Sequence, residues 1–346
     1  MDIDYLIIGS GLAGMAFSSF ANSNGRSFIV IDDNSQHSST VAGGLYNPVI
    51  LKRFTPVWKA KEQLALALPY YDKLEADLGI KIHYQLPVQR LFHSAAEQNN
   101  WFEATDRDEL KDYLSEDINH SKYEGVKSDF GFGRVLHTGR IDTLLLIAKY
   151  KEWLIGKGRY LNESFDYNLL EIQSDKVNYK AISAKHLIFS EGFGLKMNPF
   201  FNHLPLKGTK GELLTIHAPI LNINFVLKSG VFLIPLGDHK YLVGATYEWE
   251  DKTNHPTDKG KQELIRKLNK VLECEYEIID HRAGMRPTVV DRRPLIGQHS
   301  KHQSLYVLNG LGTRGVMIAP YAAKNLFDHI EYQQELDPEM SIRRFD

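Results

Sequence analysis

The sequence predicts an α/β fold in which a βαβ domain is combined with a second, β-rich antiparallel domain. An apolar run at residues 4–8 is followed at once by closely spaced glycines and a small-residue helical stretch, which is typical of a βαβ unit. After Leu206 the pattern changes to short apolar strands separated by glycine-containing turns, which indicates an antiparallel meander. A chain of 346 residues is long enough for both domains.

The βαβ unit carries a G-x-G-x-x-G motif between a strand and a helix, which is the context that dinucleotide binding requires. The first glycine allows a tight turn, the second lets a pyrophosphate approach the backbone, and the third lets helix and strand pack closely. The next apolar run ends on an acidic residue that is placed to accept hydrogen bonds from a ribose. The predicted dinucleotide-binding residues are Gly9, Ser10, Gly11, Leu12, Ala13, Gly14, Asp32 and Asp33.

The stretch after Asp33 bears on the size of the cofactor, because the fingerprint alone does not distinguish NAD from FAD. No second βαβ unit follows at once; a polar, serine-rich stretch leads instead into Gly43 and Gly44. Such a loop beside a nucleotide site either wraps a larger cofactor or is a plain surface loop.

Two later strands also end in glycines. The strand at 186–189 leads into Glu191 and Gly192, which form either the edge of the nucleotide site or an ordinary turn. The strand at 305–308 leads into a helix whose free N–H groups and dipole favour an anionic or electron-rich ligand. The residues predicted to contact the cofactor at this second junction are Gly310, Gly312, Thr313, Arg314, Gly315 and Val316.

The segments between these motifs carry no obvious chemistry. Residues 56–79 are predicted to be helical, with Pro69 kinking or splitting the helix, and residues 81–92 to form a strand that Pro87 restricts to an edge or a bulge. Residues 94–128 are predicted to be a peripheral insertion with two weak helical patterns. In the β-rich part, strands are predicted at 212–217, 223–228, 231–235 and 241–245, with a helix over 258–272.

Composition limits the classes of partner and compartment. Lys plus Arg number 41 and Asp plus Glu 43, so no global basic field attracts nucleic acid, and a nucleic-acid partner is not expected. The single cysteine, Cys274, excludes an internal disulfide and suits a reducing cytoplasm, where we expect the protein. No apolar run approaches the ~20 residues of a membrane span, the N-terminus reads as a strand and not as a signal peptide, and no metal site is predicted.

Taken together, these segments resemble the D-amino-acid oxidase superfamily of FAD-dependent oxidoreductases, and within it glycine oxidase, sarcosine oxidase and the oxidase domain of the bifunctional tRNA wobble-uridine modification enzyme. The resemblance runs in order over nearly the whole chain. The matching stretches are GSGLAG with Asp32, AGGLYNP at 42–48, FLIPLGDHKYLVGATYEWED at 232–251, AGMRPTVVDRRPLIG at 283–297 and NGLGTRGVMIAP at 309–320.

The resemblance implies FAD as the cofactor, with Val177 among its contacts, and a Rossmann-type FAD-binding domain assembled from residues 1–70, 136–204 and 284–346. Residues 71–135 and 205–283 would form the substrate domain. The implied reaction is oxidation of the C–N bond of a primary or secondary amine by hydride transfer to flavin N5. We expect the small amine or amino-acid substrate to bear a carboxylate, and O2 to be the acceptor, with a quinone or carrier as the alternative.

The resemblance also implies roles for three residues around the substrate. Arg286 would grip the substrate carboxylate, since a guanidinium binds it through two hydrogen bonds; the alternative is a structural ion pair with Asp291. Where relatives place a tyrosine that shares this carboxylate, the chain has Phe232. Arg53, which follows Lys52, would be a cation at the flavin face or half of a solvated basic pair.

Two other functions stay open from the sequence. One is removal of a carboxymethyl group from a modified tRNA uridine, against which the balanced charge of the chain counts weakly. The other is a flavoprotein that has lost catalysis, for which Phe232 is the only support.

Overall fold

The computed structural model describes all residues from 1 to 346 and contains two large sheets. The first, here called the parallel sheet, has eight strands. Its parallel members, in spatial order, are Tyr160–Leu161, Phe28–Ile31, Asp2–Ile8, Ile182–Phe189 and Leu305–Asn309. Antiparallel strands extend it, namely Val177–Tyr179, Leu170–Ile172 and Leu295–Gln298. The predicted α/β fold class is confirmed.

Helices cover one face of the parallel sheet, because their apolar sides and the sheet bury a common core. Helix Leu12–Ser23 follows the fingerprint, and helix Gly315–Tyr332 packs beside it. Helix Ala60–Leu78 continues through Pro69, so the predicted interruption does not end it. Helix Thr143–Gly156 begins at an Asp142 cap, whose side chain accepts from the Leu145 N–H.

The second sheet, here called the meander sheet, also has eight strands. Neighbouring strands are antiparallel except for the one parallel pair that Val226–Lys228 and Val88–Leu91 form. Helix Asp258–Leu268 packs against the sheet and ends before residue 272, where it was predicted to end. In spatial order the strands are Glu277–Arg286, Thr209–His217, Lys240–Gly244, Phe232–Gly237, Val226–Lys228, Val88–Leu91, Phe132–Val135 and Leu114–Asn119.

The remaining elements are short. The short helix is Ser38–Val41, and the 3-10 segments are Tyr167–Leu169, Gly192–Met197 and Ile342–Phe345. Strands Leu45–Tyr46, Gly139–Ile141 and His83–Tyr84 form a small antiparallel sheet, and Val49–Ile50 pairs with Thr55–Pro56.

The segment predicted to be a peripheral insertion is part of the meander sheet, so that prediction was wrong. The segment contains one α-helix, Ala95–Thr105, and the edge strand Leu114–Asn119 of the meander sheet. Trp101 is fully buried, and its indole N–H donates to the carbonyl of Ser115 at 2.9 Å. The burial of this one large aromatic side chain therefore anchors an otherwise polar segment to the sheet.

The division of the chain into an FAD domain and a substrate domain stays a prediction. Two of its boundaries fall inside elements: helix Ala60–Leu78 runs across residue 70, and strand Glu277–Arg286 runs across residue 284. None of the helices is both long enough and apolar enough to cross a membrane.

Candidate active site

A cavity of about 820 Å³ lies between the parallel sheet and the meander sheet. On one side it is lined by loops that follow the carboxyl ends of parallel strands, including Gly9, Asp32, Gly192 and Gly310. This is the edge at which open α/β sheets bind ligands. On the other side it is lined by the face of the meander sheet that carries Phe232.

The structure brings most of the predicted site residues to this one cavity. Ser10, Gly14, Asp33 and Val177 do not line it. Those that do are Gly9, Gly11, Leu12, Ala13, Asp32, Gly43, Gly44, Arg53, Glu191, Gly192, Phe232, Arg286, Gly310, Gly312, Thr313, Arg314, Gly315 and Val316.

The fingerprint glycines are required by close backbone contacts. Gly9 has a φ of 99°, and a Cβ there would overlap the carbonyl of Ser190. A Cβ on Gly14 would overlap the carbonyl oxygen of Gly9, so Gly14 shapes the site by packing and not by lining it. A side chain on Gly14 would therefore push the first helix away from the strand before it, and one on Gly9 would push the fingerprint loop away from Ser190.

The carboxylate of Asp32 is held by backbone N–H groups at the mouth of the fingerprint loop. One oxygen accepts from Ser10 N at 2.5 Å and the other from Asn34 N at 2.6 Å. Ser10 thus contributes through its backbone, and the carboxylate faces the cavity at the position predicted for a ribose.

Ser39 is a cavity residue that sequence reasoning did not single out. Its hydroxyl accepts from the N–H of Leu12 at 3.1 Å and would lie 3.1 Å from a Cβ on Gly11. It therefore lies beside the helix start, where a fingerprint of this kind binds phosphate oxygens. The serine-rich stretch before Gly43 was the signal for it.

These residues fit a dinucleotide. The fingerprint loop offers backbone without side chains at Gly9 and Gly11, the helix start offers N–H groups, and Asp32 offers a fixed carboxylate. The second glycine loop, 310–315, reaches the same cavity from the last parallel strand.

Asp33 and Val177 have other roles. Asp33 ties its loop, accepting from Ser164 Oγ at 2.6 Å and from Ser35 N at 2.9 Å. Val177 pairs with Ala184 in an antiparallel extension of the parallel sheet, and its side chain is fully buried in the hydrophobic cluster there. The Val177 side chain does not line the cavity, and a contact of this residue with the cofactor stays a prediction.

Glu191 is an unusual carboxyl group at the parallel-sheet side of the cavity. Burial raises its pKa to about 7, although hydrogen bonds from Tyr167 and Asn198 act in the opposite direction. Asn198 donates to it at 2.7 Å, and the Tyr167 hydroxyl donates to its other oxygen. The side chain is thus held by two donors beside the strand end that carries it.

Arg286 ends the long strand Glu277–Arg286 and turns its guanidinium onto the cavity. Its Nη1 donates only to the backbone carbonyls of Thr246, at 3.2 Å, and Lys210, at 3.4 Å. The expected alternative, an ion pair with Asp291, is absent, because Asp291 binds Arg344 at 2.8 Å. Burial lowers the pKa of Arg286, and no carboxylate of the chain compensates its charge.

The cavity as a whole is positively charged. Its acidic lining residues are only Asp32 and Glu191. Such a lining concentrates field lines and attracts anions. The basic lining residues are Lys52, Arg53, Lys228, Lys267, Arg286, Arg292 and Arg314.

Phe232 forms the apolar middle of the meander-sheet wall. It pairs with Gly244, and a Cβ on Gly244 would overlap the Phe232 ring. The ring also comes within 3.4 Å of where a Cβ of Gly43 would lie, so it bridges the two sides of the cavity. Lys228 Nζ lies 5.5 Å from the ring centre.

Tyr247 is the second residue that sequence reasoning missed. Its ring centre lies 4.7 Å from the guanidinium carbon of Arg286, and it lines the cavity while 60% of its surface is exposed. It follows the strand Lys240–Gly244 in the stretch matched to the family, but nothing in its spacing marked it as a site residue.

A family model described as FAD dependent oxidoreductase matches residues 4–329, nearly the whole chain. The chain belongs to this family. Both the predicted resemblance and the predicted FAD cofactor are confirmed, and so is the prediction that the chain is an oxidoreductase.

Curated relatives of the chain are similar over part of their length. A glycine oxidase of Geobacillus kaustophilus is 26% identical over 129 residues, which are 36% of this chain and 34% of the relative. The tRNA 5-methylaminomethyl-2-thiouridine biosynthesis bifunctional protein of Marinobacter nauticus is 25% identical over 185 residues, 50% of this chain and 29% of the relative. The chain thus spans about a third or less of these curated relatives.

Solved structures share the fold over its full extent. An iminodiacetate oxidase from Chelativorans superimposes with a TM-score of 0.79 at 19% identity, covering 97% of this chain and 99% of the other. The glycine oxidase of Geobacillus kaustophilus gives 0.76 at 16% identity, with 97% of each chain covered. At this identity the likeness shows the fold.

Proposed function

We propose that the protein oxidises the C–N bond of a primary or secondary amine that carries a carboxylate. The observation that carries this proposal is the Arg286 guanidinium, which faces the cavity without an acidic partner. FAD, when bound, supplies the chemistry, since it accepts the hydride removed from the substrate carbon.

The chain's contribution is to bind and orient the substrate. The Nη1 group of Arg286 donates to two backbone carbonyls, which leaves the other N–H groups of the guanidinium for a ligand carboxylate. A carboxylate held there fixes the amine end of a glycine-like substrate against the cavity wall, so the reacting carbon is positioned before reaction.

Tyr247 supplies the phenol that the sequence lacks at Phe232. The ring packs on the guanidinium of Arg286, and we expect its hydroxyl to donate to a carboxylate that the arginine binds. Phe232 then serves as an apolar floor under the substrate, and its ring helps to exclude water from that part of the cavity.

The proposal is tested by mixing the purified flavoprotein with amines under anaerobic conditions and following the flavin absorbance. Carboxylate-bearing amines such as glycine and N-alkylglycines should bleach it, whereas the matched amines without a carboxylate should not. Bleaching by none of these compounds would contradict the proposal. Admitting oxygen afterwards distinguishes an oxidase, which recovers its colour, from a dehydrogenase that needs another acceptor.

A further inference from the structure

Lys228 is a cation of the cavity that the proposed function leaves without a role. It lies on strand Val226–Lys228, directly beside Phe232 of the neighbouring strand, so both side chains stand on the face that lines the cavity. Lys228 forms no ion pair and no side-chain hydrogen bond; its ammonium lies only on the Phe232 ring, 5.5 Å from the centre.

The charged groups that act on Lys228 are two other cations, Arg90 and Lys267, and Arg90 has its own carboxylate partner, Glu97, at 3.9 Å. Arg90 pairs with it across the strands and donates to the carbonyl of Leu51 at 2.6 Å. Lys267, from helix Asp258–Leu268, also lines the cavity and is bound to Glu263 at 2.6 Å. Burial lowers the pKa of Lys228 to about 8, and both neighbouring cations add to this effect. An unpaired ammonium in such a place is costly unless a ligand anion meets it.

The two cationic ends of the cavity are well separated. The Arg286 guanidinium lies over Gly211, because a Cβ at Gly211 would overlap it. The strand of Gly211 and the strand of Lys228 are three strand positions apart in the meander sheet, so the two strands that present the cations are about 14 Å apart. Between them lies the uncharged ring of Phe232 over Gly244.

We infer that the cavity takes an elongated amine with anionic groups at both ends, one held by Arg286 and the second by Lys228, with the connecting chain along Phe232. This inference rests on the proposed function for the Arg286 end. The second group is a carboxylate or a phosphate, since a lysine ammonium binds either as a point charge.

The test uses unreactive ligands and the spectrum of the bound flavin. The holoprotein is titrated with linear α,ω-dicarboxylates from succinate to sebacate and with monocarboxylates of equal carbon number. In the wild type the longer dicarboxylates should bind at least about tenfold more tightly than the matched monocarboxylates. A carboxylate of equal length that ends in a phosphonate shows which second anion is preferred.

The variant Lys228→Met should lose the dicarboxylate advantage and keep the affinity for monocarboxylates, and Lys228→Arg should retain the advantage. Lys240→Met is the matched control, because it removes an exposed lysine from the same sheet outside the cavity. If Lys228→Met does not fold, the wild-type series and Lys228→Arg decide. Equal binding of the two ligand series in the wild type would overturn the inference alone, whereas no carboxylate binding at all would overturn the proposed function.

Discussion

The guanidinium carbon of Arg286 lies 4.7 Å from the centre of the Tyr247 ring, and the same arginine donates to the backbone carbonyl of Thr246. The ring of Tyr247 and the backbone carbonyl of Thr246, which are neighbours in sequence, therefore both hold the guanidinium of Arg286. A cation stacked on an aromatic ring gains roughly 0.5–2 kcal/mol, which helps to keep the fork in one orientation. Both residues line the cavity, so a ligand in the cavity can reach the pair.

Removing Arg286 should weaken carboxylate binding without affecting the cofactor. We expect Arg286→Ala to cost on the order of 2–5 kcal/mol of binding, because the ligand anion loses its desolvated partner. The carboxylate affinity of Arg286→Lys should lie between those of the wild type and Arg286→Ala, since lysine keeps the charge and loses the bidentate geometry. The measurement is a titration of each variant with a small carboxylate, followed by the flavin spectrum. Equal affinity in all three proteins would show that Arg286 is structural.

The hydroxyl and the ring of Tyr247 should make separate contributions to carboxylate binding. Tyr247→Phe keeps the stack on Arg286 and should cost about 1 kcal/mol of carboxylate binding, the value of one hydrogen bond. Tyr247→Ala should cost more, because the stacking is lost as well. Tyr332→Phe, an exposed tyrosine outside the cavity, is the control for the same assay. Wild-type affinity in Tyr247→Phe would assign the phenol no part in binding.

Gly14 should be essential for holding FAD although it does not line the cavity. In Gly14→Val the side chain would overlap the carbonyl of Gly9 and displace the fingerprint helix, so the purified protein should be colourless. Gly156→Ala is the matched helical control, because nothing lies within 4 Å of its added Cβ. The FAD released on denaturation is measured per mole of protein for both variants. A yellow Gly14→Val protein with full FAD content would contradict this account of the fingerprint.

Glu191 should make stability depend on pH. Its folded pKa is about 7 against an ordinary value of 4.5, so the folded state holds the proton more tightly than the unfolded chain. The contribution of protonated Glu191 to the free energy of unfolding is therefore present at low pH and is lost as the pH rises from about 4.5 to about 7.

Compared with Glu191→Gln, the wild type should lose up to roughly 3 kcal/mol of unfolding free energy between pH 4.5 and pH 8. Urea unfolding of both proteins across this range measures the difference, and other titrating groups cancel in it. A difference between the two proteins that stays constant with pH would show that Glu191 ionises normally.

The dinucleotide site was predictable from the sequence because its contacts are local. Gly14, in the first turn of the helix, packs on Gly9 of the preceding loop. Asp32, which follows the next strand, accepts a hydrogen bond from the N–H of Ser10. A glycine required by such a contact leaves a fixed spacing in the sequence. The family stretches extended this to the second glycine loop at 310–315, which lies in the same cavity.

The substrate side was decided only by the tertiary structure. Arg286 was marked by its motif, but its lack of an acidic partner depends on Asp291 turning to Arg344 instead. Neither Tyr247 nor Lys228 was marked by a signal of its own. Tyr247 meets Arg286 only because segments distant in sequence pair side by side in the meander sheet, whereas Lys228 and Phe232 face each other across a short hairpin. The sequence by itself predicted the family and the FAD cofactor, since short-range steric contacts leave a pattern. Long-range strand pairing leaves none, so the charge and shape around the substrate emerged only from the fold.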